Sequence, residues 1–150
     1  MLEKFTMETE KKKTGSISAI VIDDDTDIVE LISEFLELAN VQVLGKGYSG
    51  KDAVELYEKV RPDVVLLDIM MPDYDGFYAL EKIRLFDTNA KILMVTADLR
   101  RDTLVRLTHI EGLEIVLKPF DFNKVLSGIH NLYEGHTNAR VYHGASYVLR

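Results

Sequence analysis

From residue 17 onward, short apolar runs alternate with amphipathic stretches. Residues 17–22 read as a strand ending on Ile20-Val21-Ile22. Behind Asp25 or Thr26, either of which can cap a helix, Ile28, Leu31, Ile32, Phe35, Leu38 and Ala39 recur at helical spacing. Residues 41–44 read as a second strand, with Gly45, Gly47 and Gly50 marking a loop after it. Ala53, Val54, Leu56, Tyr57 and Val60 form one side of a helix over 51–60, which Arg61-Pro62 stops. The four aliphatics at 64–67 are the pattern of a strand buried on both faces. A loop at 72–76 leads to a helix over 77–86 with Phe77, Leu80 and Ile83 inward. A fourth strand at 91–95, a helix over 99–111 ended by Gly112, a fifth strand at 113–117 and a helix over 122–133 complete the series. In the last helix Phe122, Val125, Leu126, Ile129 and Leu132 or Tyr133 point inward.

Five strand–helix pairs predict an α/β domain: a doubly wound, five-stranded parallel sheet with helices on both faces. Right-handed crossovers favour the flavodoxin-like order 2-1-3-4-5. The predicted domain spans residues 16–134. Residues 1–15, polar and carrying Lys11-Lys12-Lys13, read as a flexible arm, with Met7 an alternative start. Residues 135–150 read as a C-terminal tail too short for an output domain: a small hairpin around His143-Gly144, a frayed end or the stump of a longer protein.

Composition narrows the function. The chain has 150 residues and no cysteine, which removes thiol catalysis, disulfides and Cys-zinc sites. A net charge of −7 argues against direct nucleic-acid binding by the domain as a whole. No apolar run approaches the roughly 18 residues that span a bilayer, and no signal peptide is evident, so no membrane association and a cytoplasmic location are expected.

The chemistry sits at the predicted strand ends. Asp23-Asp24-Asp25 follows the first strand, Asp68 the third, Thr96 the fourth and Lys118 the fifth. A doubly wound sheet brings those ends to one rim, where ligands bind in such folds. Carboxylates gathered there repel one another unless a cation neutralises them. Mg²⁺, with its preference for hard oxygens, suits such a set. A carboxylate beside Mg²⁺ can attack a phosphoryl group, whose oxygens a Lys and a hydroxyl can orient. Asp25 and Asp27 read as cap and first-turn residues, and Asp73, Asp75 and Gly76 as turn and cap chemistry. His109, His130, His136 and His143 have no metal-ligand spacing. Arg100, Arg101 and Arg106 read as a solvated helix face. The glycines at 45, 47 and 50 do not form a dinucleotide-binding fingerprint.

Four motifs in order resemble the receiver domain of two-component response regulators: 20–25 (Ile-Val-Ile-Asp-Asp-Asp), 68–76 (Asp68 to Gly76), 94–97 (Met-Val-Thr-Ala) and Lys118-Pro119-Phe120. The resemblance covers roughly residues 17–133. It implies that Asp68 is the phosphoacceptor, and that Asp24 and Asp68 bind Mg²⁺ with the backbone carbonyl of Met70. It implies that Asp23 reaches the metal through water, that Thr96 and Lys118 contact the phosphoryl group, and that Lys118-Pro119 is cis. The implied donor is a sensor histidine kinase or a histidine phosphotransfer protein. The implied output is a downstream protein or a homodimer through the face of the fourth helix, fifth strand and fifth helix. Ala97 is small, as a position beside the phosphoryl group should be. Two positions depart from the family pattern. Ile115 stands where an aromatic switch residue is usual, and Met70 where a polar residue is frequent. The alternatives are a Mg²⁺-dependent phosphatase with an Asp nucleophile, which would want an acid at Met70, and a phosphorylation-independent interaction module.

Overall fold

The structure, a computed structural model, describes residues 15–98, 100–135, 141–143 and 146–148. Residues 1–14 of the expected arm at 1–15, the expected helix start at Leu99 and the remaining tail positions lie outside the described residues. The elements are β1 (Ile17–Ile22), α1 (Thr26–Leu38), β2 (Val41–Gly47), α2 (Gly50–Val60), β3 (Val64–Leu67), α3 (Gly76–Phe86), β4 (Ile92–Thr96), α4 (Arg101–Thr108), β5 (Leu113–Leu117), α5 (Phe122–Glu134), β6 (Val141–His143) and β7 (Ser146–Val148).

The first five strands are parallel in the order β2-β1-β3-β4-β5, as the sequence predicts. The sheet is wider than the five strands expected. β6 pairs in parallel with β5 and β7 antiparallel with β6, so the tail forms the hairpin alternative and extends the sheet to seven strands. At the opposite edge, the Glu37 carboxylate accepts the Val43 N–H at 2.8 Å, covering part of an otherwise open strand.

Period-two alternation divides the core into two layers. Val65 and Leu67 join Ile20, Ile22, Leu56, Ile83, Met94, Leu107 and Ile115 on the face covered by α2, α3 and α4. Val64 and Leu66 join Val21, Val29, Ile32, Leu36, Val95, Val125 and Ile129 under α1 and α5.

Several elements differ from expectation. β2 runs on through Gly45 and Gly47, because these residues let α2 approach: a Cβ at Gly47 would lie 2.8 Å from Asp52 Cβ in α2 and 2.8 Å from Ile22 Cδ1 in β1. In α1 the buried stripe is Val29, Ile32, Ser33 and Leu36, while Leu31 and Leu38 face solvent. α4 is only eight residues long and begins after Arg100. In α5 it is Leu132 that is buried, and Tyr133 is partly exposed.

Candidate functional site

The carboxyl ends of β1 and β3 are tied together before any side chain is considered. The Asp68 N–H donates to Ile22 O at 3.1 Å, and the Asp23 N–H to Gly47 O at 3.2 Å. The Gly76 N–H donates to Ile69 O at 2.9 Å, drawing the start of α3 under the Asp68 backbone. Asp75 caps α3 by accepting the Tyr78 N–H, and Asp25 caps α1 by accepting the Asp27 and Ile28 N–H groups, as the sequence predicts.

This scaffold brings carboxylate oxygens of Asp23, Asp24 and Asp68 within 4.8 Å of one another. Asp23 and Asp68 are buried, and Asp24 faces solvent. Lys118, at the end of β5, reaches into the group. Its Nζ lies 2.7 Å from Asp23 Oδ2 and 3.7 Å from Asp68 Oδ2. Asp23 Oδ1 accepts the Asp25 N–H at 2.9 Å, so both oxygens of Asp23 are engaged. The Lys118-Pro119 peptide is cis, as expected.

One ammonium does not offset three carboxylates. Burial, and then the charge of Asp23, push the Asp68 carboxyl up to about 6, against the opposing pull of Lys118 and of a hydrogen bond from the Met70 backbone. Asp24 is also raised, by partial burial of its carboxyl and then by Asp23. A cluster of hard oxygens that resists ionisation is the donor chemistry a divalent cation satisfies, and the set fits Mg²⁺.

The other expected residues fall at the same rim. Thr96 ends β4, fully buried, and its Oγ1 accepts the Asp98 N–H at 3.1 Å. Ala97 is exposed beside it, and Met70 projects into solvent with 57% of its surface exposed. Ile115 is wholly buried in β5, opposite Met94. Arg100, Arg101 and Arg106 are all exposed, as expected of a solvated face, and two of them also have partners. Arg100 pairs with Asp98 at 2.7 Å, and the Arg106 guanidinium lies 3.8 Å from the Phe77 ring centroid. Asp98 escapes sequence reasoning: a lone acid two residues after Thr96 carries no periodic signal that it is buried.

Among the described residues, no helix is long and apolar enough to cross a membrane. The response regulator receiver domain family matches residues 19–130. Protein CcdB of Bacillus subtilis (strain 168) is 36% identical over 110 residues, covering 73% of this chain and 92% of that protein. The chemotaxis protein CheY of Treponema pallidum (strain Nichols) is 35% identical over 123 residues, covering 80% and 85%. Among solved structures, the CheX-CheY-BeF3-Mg complex of Borrelia burgdorferi matches with a TM-score of 0.73 at 27% identity, covering 80% of this chain and 92% of that one. Family membership sets aside the phosphatase alternative, which the acid-free side chain of Met70 also disfavours. Receiver domains are signalling domains and not enzymes in the ordinary sense. With its strand order, its acidic rim and its matched span in agreement, this chain belongs to the response regulator receiver domains of two-component signalling and is CheY-like.

Proposed function

We propose that this receiver accepts a phosphoryl group on Asp68 from a phosphohistidine of a sensor kinase or phosphotransfer protein, in the cytoplasm. In that step the P–N bond to imidazole breaks and a P–O bond to Asp68 forms. The electron pair stays on the imidazole nitrogen, which takes up a proton from solvent. The observation that supports this most is an acid at the rim within 3.7 Å of a lysine ammonium, its carboxyl raised by burial and then by a neighbouring carboxylate.

Asp24, Asp68 and the backbone carbonyl of Met70 would hold Mg²⁺, with Asp23 outside the direct ligand set because both its oxygens are engaged. Bound Mg²⁺ would neutralise charge on the phosphoryl oxygens and on the acids around them. Lys118 would pair with a phosphoryl oxygen, and Thr96 would offer its hydroxyl. The new charge then biases a two-state surface. The face of α4, β5 and α5 is the proposed contact for a downstream protein or a second copy. The domain proposed is 16–134, with 1–15 as an arm and 135–150 as a tail.

The test is incubation with Mg²⁺ and a small phosphodonor, or with beryllofluoride, followed by mass spectrometry. The expected result is one adduct, absent in Asp68→Asn, with slow self-dephosphorylation of the wild type. An adduct that persists in Asp68→Asn rejects the assignment.

A further inference from the structure

A receiver must carry news of phosphorylation from its rim to its surface. Ile115, buried in the sheet core against β4, has no ring to swing and no polar end to present outside. The structure offers another connection. Asp98 is buried at 4% exposure, a rare state for an acid. Its backbone N–H donates to Thr96 Oγ1 at 3.1 Å. Its carboxylate accepts the Arg100 N–H at 3.0 Å, Arg100 Nε at 2.9 Å, Arg100 Nη2 at 2.7 Å and Thr103 Oγ1 at 3.0 Å.

This arrangement also starts α4. Arg100 stands at the N-cap and supplies no side-chain cap of its own. Asp98 instead ties the entry to the helix, taking the Arg100 N–H and the hydroxyl of Thr103 in the first turn. One residue therefore touches the rim hydroxyl through its backbone and the helix through its side chain.

We propose that Asp98 is a positioning residue that couples the orientation of Thr96 to the first turn of α4, with Arg100 as its latch. The proposal rests on the reading of Asp68 as phosphoacceptor. When the Thr96 hydroxyl turns toward a phosphoryl group, the Asp98 N–H loses its acceptor. That N–H is buried and must find another partner. The loop then shifts and loosens the carboxylate's hold on Arg100 and Thr103. The guanidinium of Arg100, its side chain already 71% exposed, can leave for water readily.

Two arms test this on the full chain. Without any phosphodonor, amide hydrogen exchange is followed in residues 101–104 of wild type, Thr96→Val and Thr96→Ser. Thr96→Val should speed exchange there by about tenfold, and Thr96→Ser should restore the wild-type rate. Equal rates in Thr96→Val and wild type overturn the coupling. With beryllofluoride and Mg²⁺, amide resonances of Ala97 and of residues 101–105 should both shift in the wild type. In Arg100→Met the Ala97 shift should persist, while the α4 shifts fall to about a third or less. Full α4 shifts in Arg100→Met overturn the latch. A wild type that takes up no beryllofluoride defeats the phosphoacceptor reading, and the donor-free arm still decides the coupling.

Discussion

At the amino ends of the strands, Asp63 accepts the N–H and hydroxyl of Ser18 at 2.9 and 3.1 Å, and Ser18 Oγ accepts the Asp63 N–H in return. Arg84 donates from Nε to Ala90 O and from Nη2 to Gly112 O, joining the entries to β4 and β5. The Tyr57 hydroxyl donates to Asp87 at 2.7 Å. At the carboxyl ends of the same strands, three carboxylates converge on one ammonium, and two of the carboxyls resist ionisation. Both rims use acids, hydroxyls and a basic residue. At one rim Asp63, Arg84 and Asp87 each have fitted partners, and the other rim is left short of positive charge. Local conflict of this kind marks the place where a fold serves a ligand. Stability should therefore depend on the charged side chains of the first rim in all conditions, and on those of the second only through pH and metal.

The largest break comes where the acidic rim meets rigid backbone. A Cβ at Gly76 would lie 2.3 Å from Asp68 O and 2.6 Å from Ile69 Cα. Neither atom belongs to a side chain that can turn away. Gly76→Ala should lower unfolding free energy by about 3 kcal/mol in urea titration and depress adduct formation at Asp68 as well. A Gly76→Ala protein with wild-type stability would mean that the loop under Asp68 yields easily, and the contrast between a rigid scaffold and a strained charge set would fail.

The satisfied rim should give a smaller loss of a different kind. Arg84→Met keeps the aliphatic stem but takes the side-chain donor from Ala90 O and leaves Gly112 O with only the long bond from the Ile92 N–H at 3.5 Å. The expected cost is about 2 kcal/mol, with Mg²⁺ affinity and adduct formation at Asp68 unchanged. If Mg²⁺ affinity falls with stability, the two rims are not independent.

The sequence reveals these two rims unequally. The strands and their order are legible because β3 is four aliphatics in a row and the helices keep a 3.6-residue period. The site acids are legible because each directly follows an apolar run. Less visible is anything whose reason lies across the fold. Gly47 reads as a loop residue because its role is to admit Ile22 and α2. Leu31 and Leu38 carry the same apolar signal as Leu36, yet packing chose the neighbouring stripe. Asp98 and Arg84 look like ordinary surface charges until the elements they join are in place. The tail permits both hairpin and frayed readings, since only pairing with β5 distinguishes them.

The acidic rim should show itself next through pH. The Asp68 carboxyl is raised from the usual carboxylate range to about 6 in the folded chain. The folded state therefore holds a proton there that the unfolded chain has released, between about pH 4 and 6. Stability from this group is present at low pH and is lost as pH rises through 6. Asp68→Asn removes the charge, so without metal it should raise Tm by about 3 °C at pH 7.5 and leave it nearly unchanged at pH 4. Added Mg²⁺ should stabilise the wild type and narrow the gap. A Tm gain of equal size at both pH values would show that Asp68 is not strained by its charge. By the same sign, if Asp68 is the phosphoacceptor as proposed, phosphorylation in limiting Mg²⁺ should quicken as pH rises through 6, because the ionised carboxylate would be the nucleophile.

The smallest effect concerns how long the modification lasts. Met70 sits two residues after Asp68 with more than half its surface open, an apolar side chain at the mouth of the site. Hydrolysis of an acyl phosphate needs a water oriented on the phosphorus, and a thioether orients water poorly. Met70→Asn supplies an amide that can hold such a water by hydrogen bonds. The phosphoryl lifetime, read by following loss of the adduct mass after donor removal, should shorten by about fivefold, near 1 kcal/mol in barrier. The rate of adduct formation should change less, because attack by Asp68 does not require that water. Unfolding free energy should stay within about 0.5 kcal/mol, since an exposed substitution breaks no core contact. A longer lifetime in Met70→Asn would place water control elsewhere on the rim. The shortage of positive charge alone would then set how long the phosphoryl group survives.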